Sequence, residues 1–163
     1  TKGPCRKTLA ATGHVAHDFA HAIRQLPGHD VVAVASRSHD RAVDLVRRCC
    51  PAGARVRTNG SYSEMAADAT LKVDAIYVAT PPRMHCEMVL KHMAFGRATL
   101  CEKPLGLDLE EVEACYAASK EHGTLLIEGM ATRCFPVSSA ARRLLHEARV
   151  IGDVVGVQAE FGY

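Results

Sequence analysis

The chain has 163 residues, of which 48% are hydrophobic and 23% charged, values typical of a folded globular protein of one domain or slightly more. The net charge is only +2, the basic residues form no block and Trp is absent, so the composition gives no case for a nucleic-acid partner. No apolar run reaches the roughly 18 residues of a membrane span, and the N-terminus has no signal-peptide core. We therefore expect a cytoplasmic protein without a membrane partner.

Apolar periodicity predicts strands that alternate with helices. In chain order, it predicts a strand at 8–11, a helix at 14–26, a strand at 31–36, a helix at 39–49, a short strand near 56, a small helix from 62 and a strand at 74–80. It continues with a helix at 84–95, a strand at 98–101, a helix at 108–122, a strand at 124–128, a helix at 137–148 and a strand at 154–162. This alternation predicts an α/β protein with a Rossmann-type, doubly wound parallel sheet and a ligand crevice at the carboxyl ends of the strands.

The turn after the first strand reads A-T-G-H-V-A, residues 11–16. A dinucleotide-binding fingerprint, G-x-G-x-x-G or G-x-G-x-x-A, opens a helix at this place. Gly13 fills the middle glycine position, where the backbone approaches a pyrophosphate, and His14 and Val15 follow at the helix N-terminus. Ala11 replaces the first glycine and would strain a tight turn. The alternative is a plain strand–helix turn that binds no ligand.

The second strand leads into Ser36, Arg37 and Ser38, where an NAD-specific site would place an acid about 20 residues after the glycines. A hydroxyl and two guanidiniums, with Arg41 one turn into the next helix, suit a 2′-phosphate instead, and Arg37 can also stack on adenine. The alternative is a solvated helix start. The position beside Gly13 favours the phosphate, so we predict NADP rather than NAD as the cofactor.

The fourth strand ends in T-P-P-R-M-H, residues 80–85. The hydroxyl of Thr80, the rigid turn of Pro81 and Pro82, and the helix start would line a cofactor's ribose and nicotinamide. His85 is included in this candidate site. For His85 alone, a helix-terminal histidine with satisfied hydrogen bonds is the simpler interpretation.

The fifth strand ends in Glu102, Lys103 and Pro104, at the edge where α/β sheets bind ligands. Pro104 fixes the turn and can sit in a cis peptide. Lys103 would point its ammonium into the crevice, hold a substrate oxygen and assist proton transfer during hydride transfer. Glu102 would orient Lys103 or contact the nicotinamide ribose. The alternative is a surface ion pair worth about 0–1 kcal/mol.

Cysteine and histidine spacing predicts no metal site. The seven cysteines are scattered and include no C-x-x-C pair, which favours reduced thiols over a disulfide framework. The histidines show no metal-ligand spacing with cysteines or carboxylates.

The motifs A-T-G-H-V-A, A-S-R-S, A-T-P-P-R-M-H and C-E-K-P-L-G, in this order, resemble the Gfo/Idh/MocA family of oxidoreductases. The later runs I-E-G-M-A-T-R-C-F-P and G-D-V-V-G-V-Q-A-E-F-G look most like its dihydrodiol dehydrogenase branch. The resemblance covers nearly the whole chain, and the E-K-P turn is its most specific element.

The resemblance implies an NAD(P)-binding Rossmann domain at 1–130 and the incomplete start of a C-terminal α/β domain for substrate binding and dimerisation at 131–163. It also implies residue roles. Gly13 meets the pyrophosphate; Ser36, Arg37 and Arg41 meet the adenosine end; Thr80, Pro81, Pro82 and His85 line the nicotinamide side with Glu102; and Lys103 is the catalytic lysine.

In the family, the second domain supplies the remaining catalytic acid or base and most of the substrate pocket. The sequence runs to Tyr163, so the resemblance implies the cofactor half of an NADP-dependent dehydrogenase of diols or sugars, either a fragment or a shortened paralogue. The alternative function is a catalytically inactive NADP(H)-binding or interaction module. We also expect a homodimer through the strand at 154–162, because an unpaired strand edge is a template for association.

Overall fold

The computed structural model describes residues 5–160 and Gly162. Its strands are β1 (Cys5–Ala10), β2 (His29–Ala35), β3 (Arg57–Asn59), β4 (Ala75–Val78), β5 (Ala98–Glu102) and β6 (Leu126–Gly129). Its helices are α1 (His14–Arg24), α2 (His39–Cys49), α3 (Tyr62–Ala67), α4 (His85–Met93), α5 (Leu109–Glu121) and α6 (Pro136–Arg142). The 3₁₀ turns Pro82–Met84 and Ala131–Cys134 precede α4 and α6, and a π-helical turn, Arg143–Glu147, follows α6.

The six strands form one sheet in the order β3-β2-β1-β4-β5-β6, and every neighbouring pair is parallel. The chain builds outward from β1 to β3, then returns to place β4 on the other side of β1. The strand order therefore reverses between β1 and β4, which is the point where a doubly wound sheet opens a ligand crevice. The predicted Rossmann-type fold is confirmed.

Side chains of the central strands point alternately to the two faces of the sheet and build a core on each. In β1, Leu9 belongs to the core on one face and Ala10 to the core on the other. In β4, Tyr77 and Val78 divide in the same way. Because both faces are covered, these strands are apolar at consecutive positions, as parallel strands require.

The spacing of Asp108 and Glu111 in the sequence is close to a capping box, and both residues cap the N-terminus of α5. Asp108 Oδ1 accepts a hydrogen bond from the Glu111 N–H at 2.9 Å. The Glu111 carboxylate returns to the N–H of Leu107 at 2.7 Å, one residue before the usual capping-box target. Ser38 occupies the N-cap position of α2, but its side chain makes no capping hydrogen bond within the described chain.

The predicted strand at 154–162 is wrong for residues 154–160, which form neither strand nor helix. A strand needs a hydrogen-bonded neighbour, and no segment among the described residues pairs with this one. Val155 is fully exposed. Phe161 lies outside the described residues. The homodimer predicted through this segment thus has no preformed strand at 154–160 to rely on and stays a prediction.

The chain divides into two compact units, Thr1–Gly129 and Met130–Tyr163. All six strands and the first five helices belong to the first unit, and α6 belongs to the second. Within the part of the chain that the structure describes, no helix has the length and apolar content to cross a membrane.

Candidate functional site

The turn between β1 and α1 lies at the switch point of the sheet. Gly13 is the N-cap of α1 and has an extended backbone, with φ −78° and ψ 178°. A β-carbon added at Gly13 would meet no atom within 4 Å, so the space above the helix end is open. No described side chain caps this helix end. Its first-turn N–H groups, which carry the positive end of the helix dipole, therefore remain available to an anion.

The strain expected at Ala11 does not arise from its backbone. Among the described non-glycine residues, only Arg149 has a positive φ, so Ala11 adopts an ordinary conformation. Ala11 is also buried, with 3% of its surface exposed. Its methyl group therefore packs in the core beneath the turn.

A cavity of about 250 Å³ opens beside this turn. It brings together Gly13, Ser36, Arg37, Arg41 and Pro81, all of which the sequence predicted as site residues. Its remaining lining residues are Ala11, which the sequence places in the glycine turn, and Thr12, Tyr62 and Ala79, which the sequence analysis missed.

Thr12 and Tyr62 reach the cavity for different reasons. The Thr12 hydroxyl lies 3.1 Å from the Ser36 hydroxyl, which joins the turn after β1 to the turn after β2. Its position inside the glycine turn was the signal that could have found it. Tyr62 begins α3, far from the motifs in sequence, and only the fold brings it here.

Arg37 and Arg41 give the cavity its charge. Both side chains are exposed, and neither forms an ion pair with any carboxylate of residues 5–160. No acidic side chain lines the cavity. Two guanidiniums without an ion pair in the lining of one cavity favour an anionic group such as phosphate.

The turn after β4 carries an unpaired buried hydroxyl. Thr80 is 5% exposed, and its Oγ1 has no hydrogen-bond partner among the described atoms. Pro81 and Pro82 follow it and lead into α4. A buried hydroxyl without a partner costs about 1–3 kcal/mol, so a ligand that approaches it gains a hydrogen bond that the free protein lacks.

His85 lies behind this turn rather than in the crevice. Its side chain is buried, with 1% exposed. Its Nδ1 lies 2.7 Å from the Pro104 carbonyl oxygen, and its Nε2 lies 2.7 Å from the Thr80 carbonyl oxygen. Both ring nitrogens therefore face backbone carbonyl oxygens, which agrees with the simpler interpretation of His85 as a helix-terminal histidine that bonds to the protein itself. The imidazole links the turn after β4 to the turn after β5.

Glu102 is held by Tyr77 and by the backbone. The Tyr77 hydroxyl donates a 2.7 Å hydrogen bond to Glu102 Oε1, and the Lys103 N–H donates a 3.3 Å bond to Oε2. Burial, together with the Glu102 carboxylate, raises the pKa of Tyr77 well above its usual value, so this hydroxyl stays protonated. Phe19 stacks on the Tyr77 ring at a centroid distance of 3.9 Å and fixes its position.

Lys103 is exposed, and its ammonium forms no ion pair with Glu102 or any other carboxylate in the described chain. The peptide bond between Lys103 and Pro104 is cis. One residue further, Glu128 Oε1 accepts a 2.9 Å bond from the Leu105 N–H and anchors the turn to β6. Sequence reasoning missed this role of Glu128, because the two segments are distant in the chain. The turn thus leaves a free ammonium at the carboxyl edge of the sheet.

The residues present fit a dinucleotide. The open helix N-terminus at Gly13 suits a pyrophosphate, the guanidiniums of Arg37 and Arg41 suit a further phosphate, and the Thr80 hydroxyl has no hydrogen-bond partner of its own among the described atoms.

Comparison with known proteins agrees with this geometry. Residues 9–130 match the model of the GFO_IDH_MocA oxidoreductase family, described as an NAD-binding Rossmann fold. The chain belongs to the Gfo/Idh/MocA family of oxidoreductases. Within this family, trans-1,2-dihydrobenzene-1,2-diol dehydrogenases are among the similar curated proteins. The chain is 37% identical to that of Oryctolagus cuniculus over 156 residues, covering 94% of this chain and 45% of the relative. It is 36% identical to that of Danio rerio, with the same coverage of both chains.

Solved structures of family members superpose well on this chain. A 3-ketoreductase from Actinomadura kijaniata, in complex with NADP and TDP-benzene, gives a TM-score of 0.78 at 27% identity and covers 89% of this chain and 43% of its own. Myo-inositol 2-dehydrogenase from Lactobacillus plantarum gives a TM-score of 0.80 at 25% identity, and the match covers 93% of this chain and 43% of the dehydrogenase chain. The chain thus spans less than half the length of the relatives it matches.

Proposed function

We propose that the chain forms the NADP-binding portion of an oxidoreductase that acts on a CH–OH group of a diol or sugar. The cavity lined by Gly13, Arg37 and Arg41 carries this proposal, because it pairs an open helix N-terminus with two unpaired guanidiniums and no carboxylate. The names of the similar enzymes, a dihydrodiol dehydrogenase and a 3-ketoreductase in complex with NADP, support the substrate class and the cofactor. Residues 1–130 would be the cofactor domain and 131–163 the start of the substrate domain.

Each predicted residue has a place in this proposal. His14 and Val15 would offer backbone N–H groups to the pyrophosphate beside Gly13, and Ser36 would hold the turn that presents Arg37. Thr80, Pro81 and Pro82 would line the nicotinamide side together with Glu102. His85 would support that wall from behind, through its bonds to two backbone carbonyls. When bound, the cofactor supplies or accepts the hydride.

Lys103 is the proposed catalytic residue. Its ammonium, free of any ion pair within residues 5–160, would donate a hydrogen bond to the substrate oxygen and stabilise the charge that develops there. The Glu102 carboxylate accepts hydrogen bonds from the Lys103 backbone N–H and from the Tyr77 hydroxyl. We propose that these two hydrogen bonds position the lysine.

A second candidate function is an NADP(H)-binding module that turns nothing over. For either candidate we also propose a reducing compartment such as the cytoplasm, because all seven cysteines are free thiols.

Fluorescence titration with NADPH and with NADH tests the shared part of both candidates. Saturable binding that is tighter for NADPH is the expected result. Equal affinities would contradict the phosphate pocket, and no saturation with either cofactor would remove both candidates. Turnover assays with a panel of trans-dihydrodiols and polyols then separate an enzyme from a binding module.

A further inference from the structure

Three metal-ligating side chains meet between α1 and α2, and none of them lines the cavity assigned to the cofactor, although His17 lines a second cavity together with Thr12 and Arg41. His17 and His21 lie one turn apart on α1, and Cys49 is the last residue of α2. One potential ligand atom from each lies within 4.8 Å of the other two. The rings of His17 and His21 have centroids 4.7 Å apart. Spacing in the sequence did not indicate this cluster, because its members come from two helices.

The three side chains differ in exposure in a way that suits ion entry. Cys49 is fully buried, His17 is half-buried and His21 is exposed. The thiol therefore lies at the bottom and the imidazoles lie on the solvent side. None of the three side chains makes a hydrogen bond within the described residues, so ligation would displace no internal contact.

We propose that His17, His21 and Cys49 form a binding site for a divalent transition-metal ion of the Zn²⁺ class. Residues four apart on a helix face the same side, so the two imidazoles can reach one ion. Tetrahedral zinc bonds to nitrogen at about 2.0–2.1 Å and to sulfur at about 2.3 Å, which places ligand atoms roughly 3.3–3.6 Å apart. The present separations need a side-chain adjustment on the order of 1 Å to reach that geometry.

The Asp18 carboxylate lies 3.8 Å from His17 Nδ1, so a negative charge is close to the cluster. Three protein ligands leave the fourth tetrahedral position for water, because the site opens to solvent at His21.

The thiol must lose its proton when the ion binds. Cysteine binds zinc as the thiolate, so binding of one Zn²⁺ releases one proton from Cys49 to solvent. Affinity should accordingly increase as the pH rises.

The bound ion would tie together two helices whose N-terminal ends form the candidate cofactor cavity. Gly13 caps α1, and Arg37 and Arg41 lie at the start of α2. A crosslink between His17, His21 and Cys49 should stabilise the packing of α1 on α2. This inference does not depend on the proposed oxidoreductase function.

Titration of the purified chain with Co²⁺, followed by competition with Zn²⁺, tests the site. We expect one Co²⁺ per chain, a thiolate-to-cobalt charge-transfer absorption, a raised thermal unfolding midpoint and about one proton released per ion. Cys49→Ala should lose the charge-transfer band. His21→Gln should weaken binding by at least about 100-fold. The matched controls Cys50→Ala and His122→Gln should behave like the parent chain.

A parent chain without the charge-transfer band would overturn the site, and so would a band that survives in Cys49→Ala. If Cys49→Ala fails to fold, as judged by circular dichroism, the exposed His21 decides the outcome. Unchanged affinity in a folded His21→Gln variant would then assign the ion to another thiol, such as Cys134.

Discussion

The His85 Nδ1 atom lies 2.7 Å from the Pro104 carbonyl oxygen, and this contact joins the start of α4 to the turn that carries Lys103. The other ring nitrogen is equally close to the Thr80 carbonyl oxygen, at 2.7 Å. A carbonyl only accepts, so a neutral imidazole can donate to one of the two, and both bonds form together only in the imidazolium. In either state the ring spans two turns that both flank the crevice.

We expect His85→Gln to destabilise the chain, because Gln cannot reach both carbonyls and a buried carbonyl loses its partner. The loss in the free energy of unfolding should be about 1–3 kcal/mol. Urea denaturation of the parent and the variant measures it. The exposed His122→Gln control should stay within about 0.5 kcal/mol of the parent. A His85→Gln variant as stable as the control would mean that the ring does not hold the turns.

The cofactor preference depends on Arg37. Arg37→Asp removes a guanidinium from the proposed 2′-phosphate site and adds a like charge, so NADPH binding should weaken by roughly 10- to 100-fold. NADH carries no 2′-phosphate, and its affinity should change much less. Lys120→Asp makes the same change in net charge on the exposed face of α5 and is the matched control. Equal weakening of both cofactors by Arg37→Asp would refute the phosphate contact.

Alanine in place of Gly13 should weaken cofactor binding, whereas alanine in place of Gly106 should lower stability. At Gly13 a β-carbon meets nothing within 4 Å, so Gly13→Ala should keep the unfolding free energy within about 1 kcal/mol while weakening NADPH binding at least about 10-fold. At Gly106 a β-carbon would lie 2.8 Å from Glu111 Cβ and 3.1 Å from the Val112 nitrogen. Gly106→Ala should therefore cost about 1–3 kcal/mol of stability. Calorimetry measures the stability of both variants, and NADPH titration measures their cofactor affinity. A Gly13→Ala variant that binds NADPH as tightly as the parent chain would contradict the placement of the pyrophosphate at Gly13.

Stability should fall in mild acid because of His92. Burial, reinforced by Arg97 and Lys91, lowers its pKa to about 3. The pKa of His92 in the folded chain is below the usual value of about 6.5. Its neutral ring therefore contributes fully to the free energy of unfolding above pH 6.5, and this contribution is lost as the pH falls toward 3. The slope should approach about 1.4 kcal/mol per pH unit. His92→Gln, which does not titrate, should give a flatter profile between about pH 6 and pH 4. If the stability of the parent chain and that of His92→Gln changed in parallel with pH, His92 would be taking up its proton in the folded chain as easily as in the unfolded one.

The sequence by itself determined the parts of this protein whose cause is local. Consecutive apolar residues in β1, β2 and β4 require a sheet covered on both faces, and alternating helices require parallel strands. Gly13, Arg37 and Lys103 were predicted as site residues because each lies within three residues of a strand end, and the carboxyl ends of parallel strands share one edge. Asp108 and Glu111 cap α5 through contacts within four residues.

Only the tertiary structure decided the contacts between distant segments. Periodicity cannot show that the His85 ring reaches Pro104, that Tyr77 holds Glu102, or that Tyr62 lines the cavity. It predicted a strand at 154–162 from alternation alone, although a strand also needs a partner, and residues 154–160 have none in the described chain. The cluster of His17, His21 and Cys49 also depends on how α1 packs against α2. The physical reason is common to all: a side chain's neighbours across the fold are set by packing, not by position along the chain.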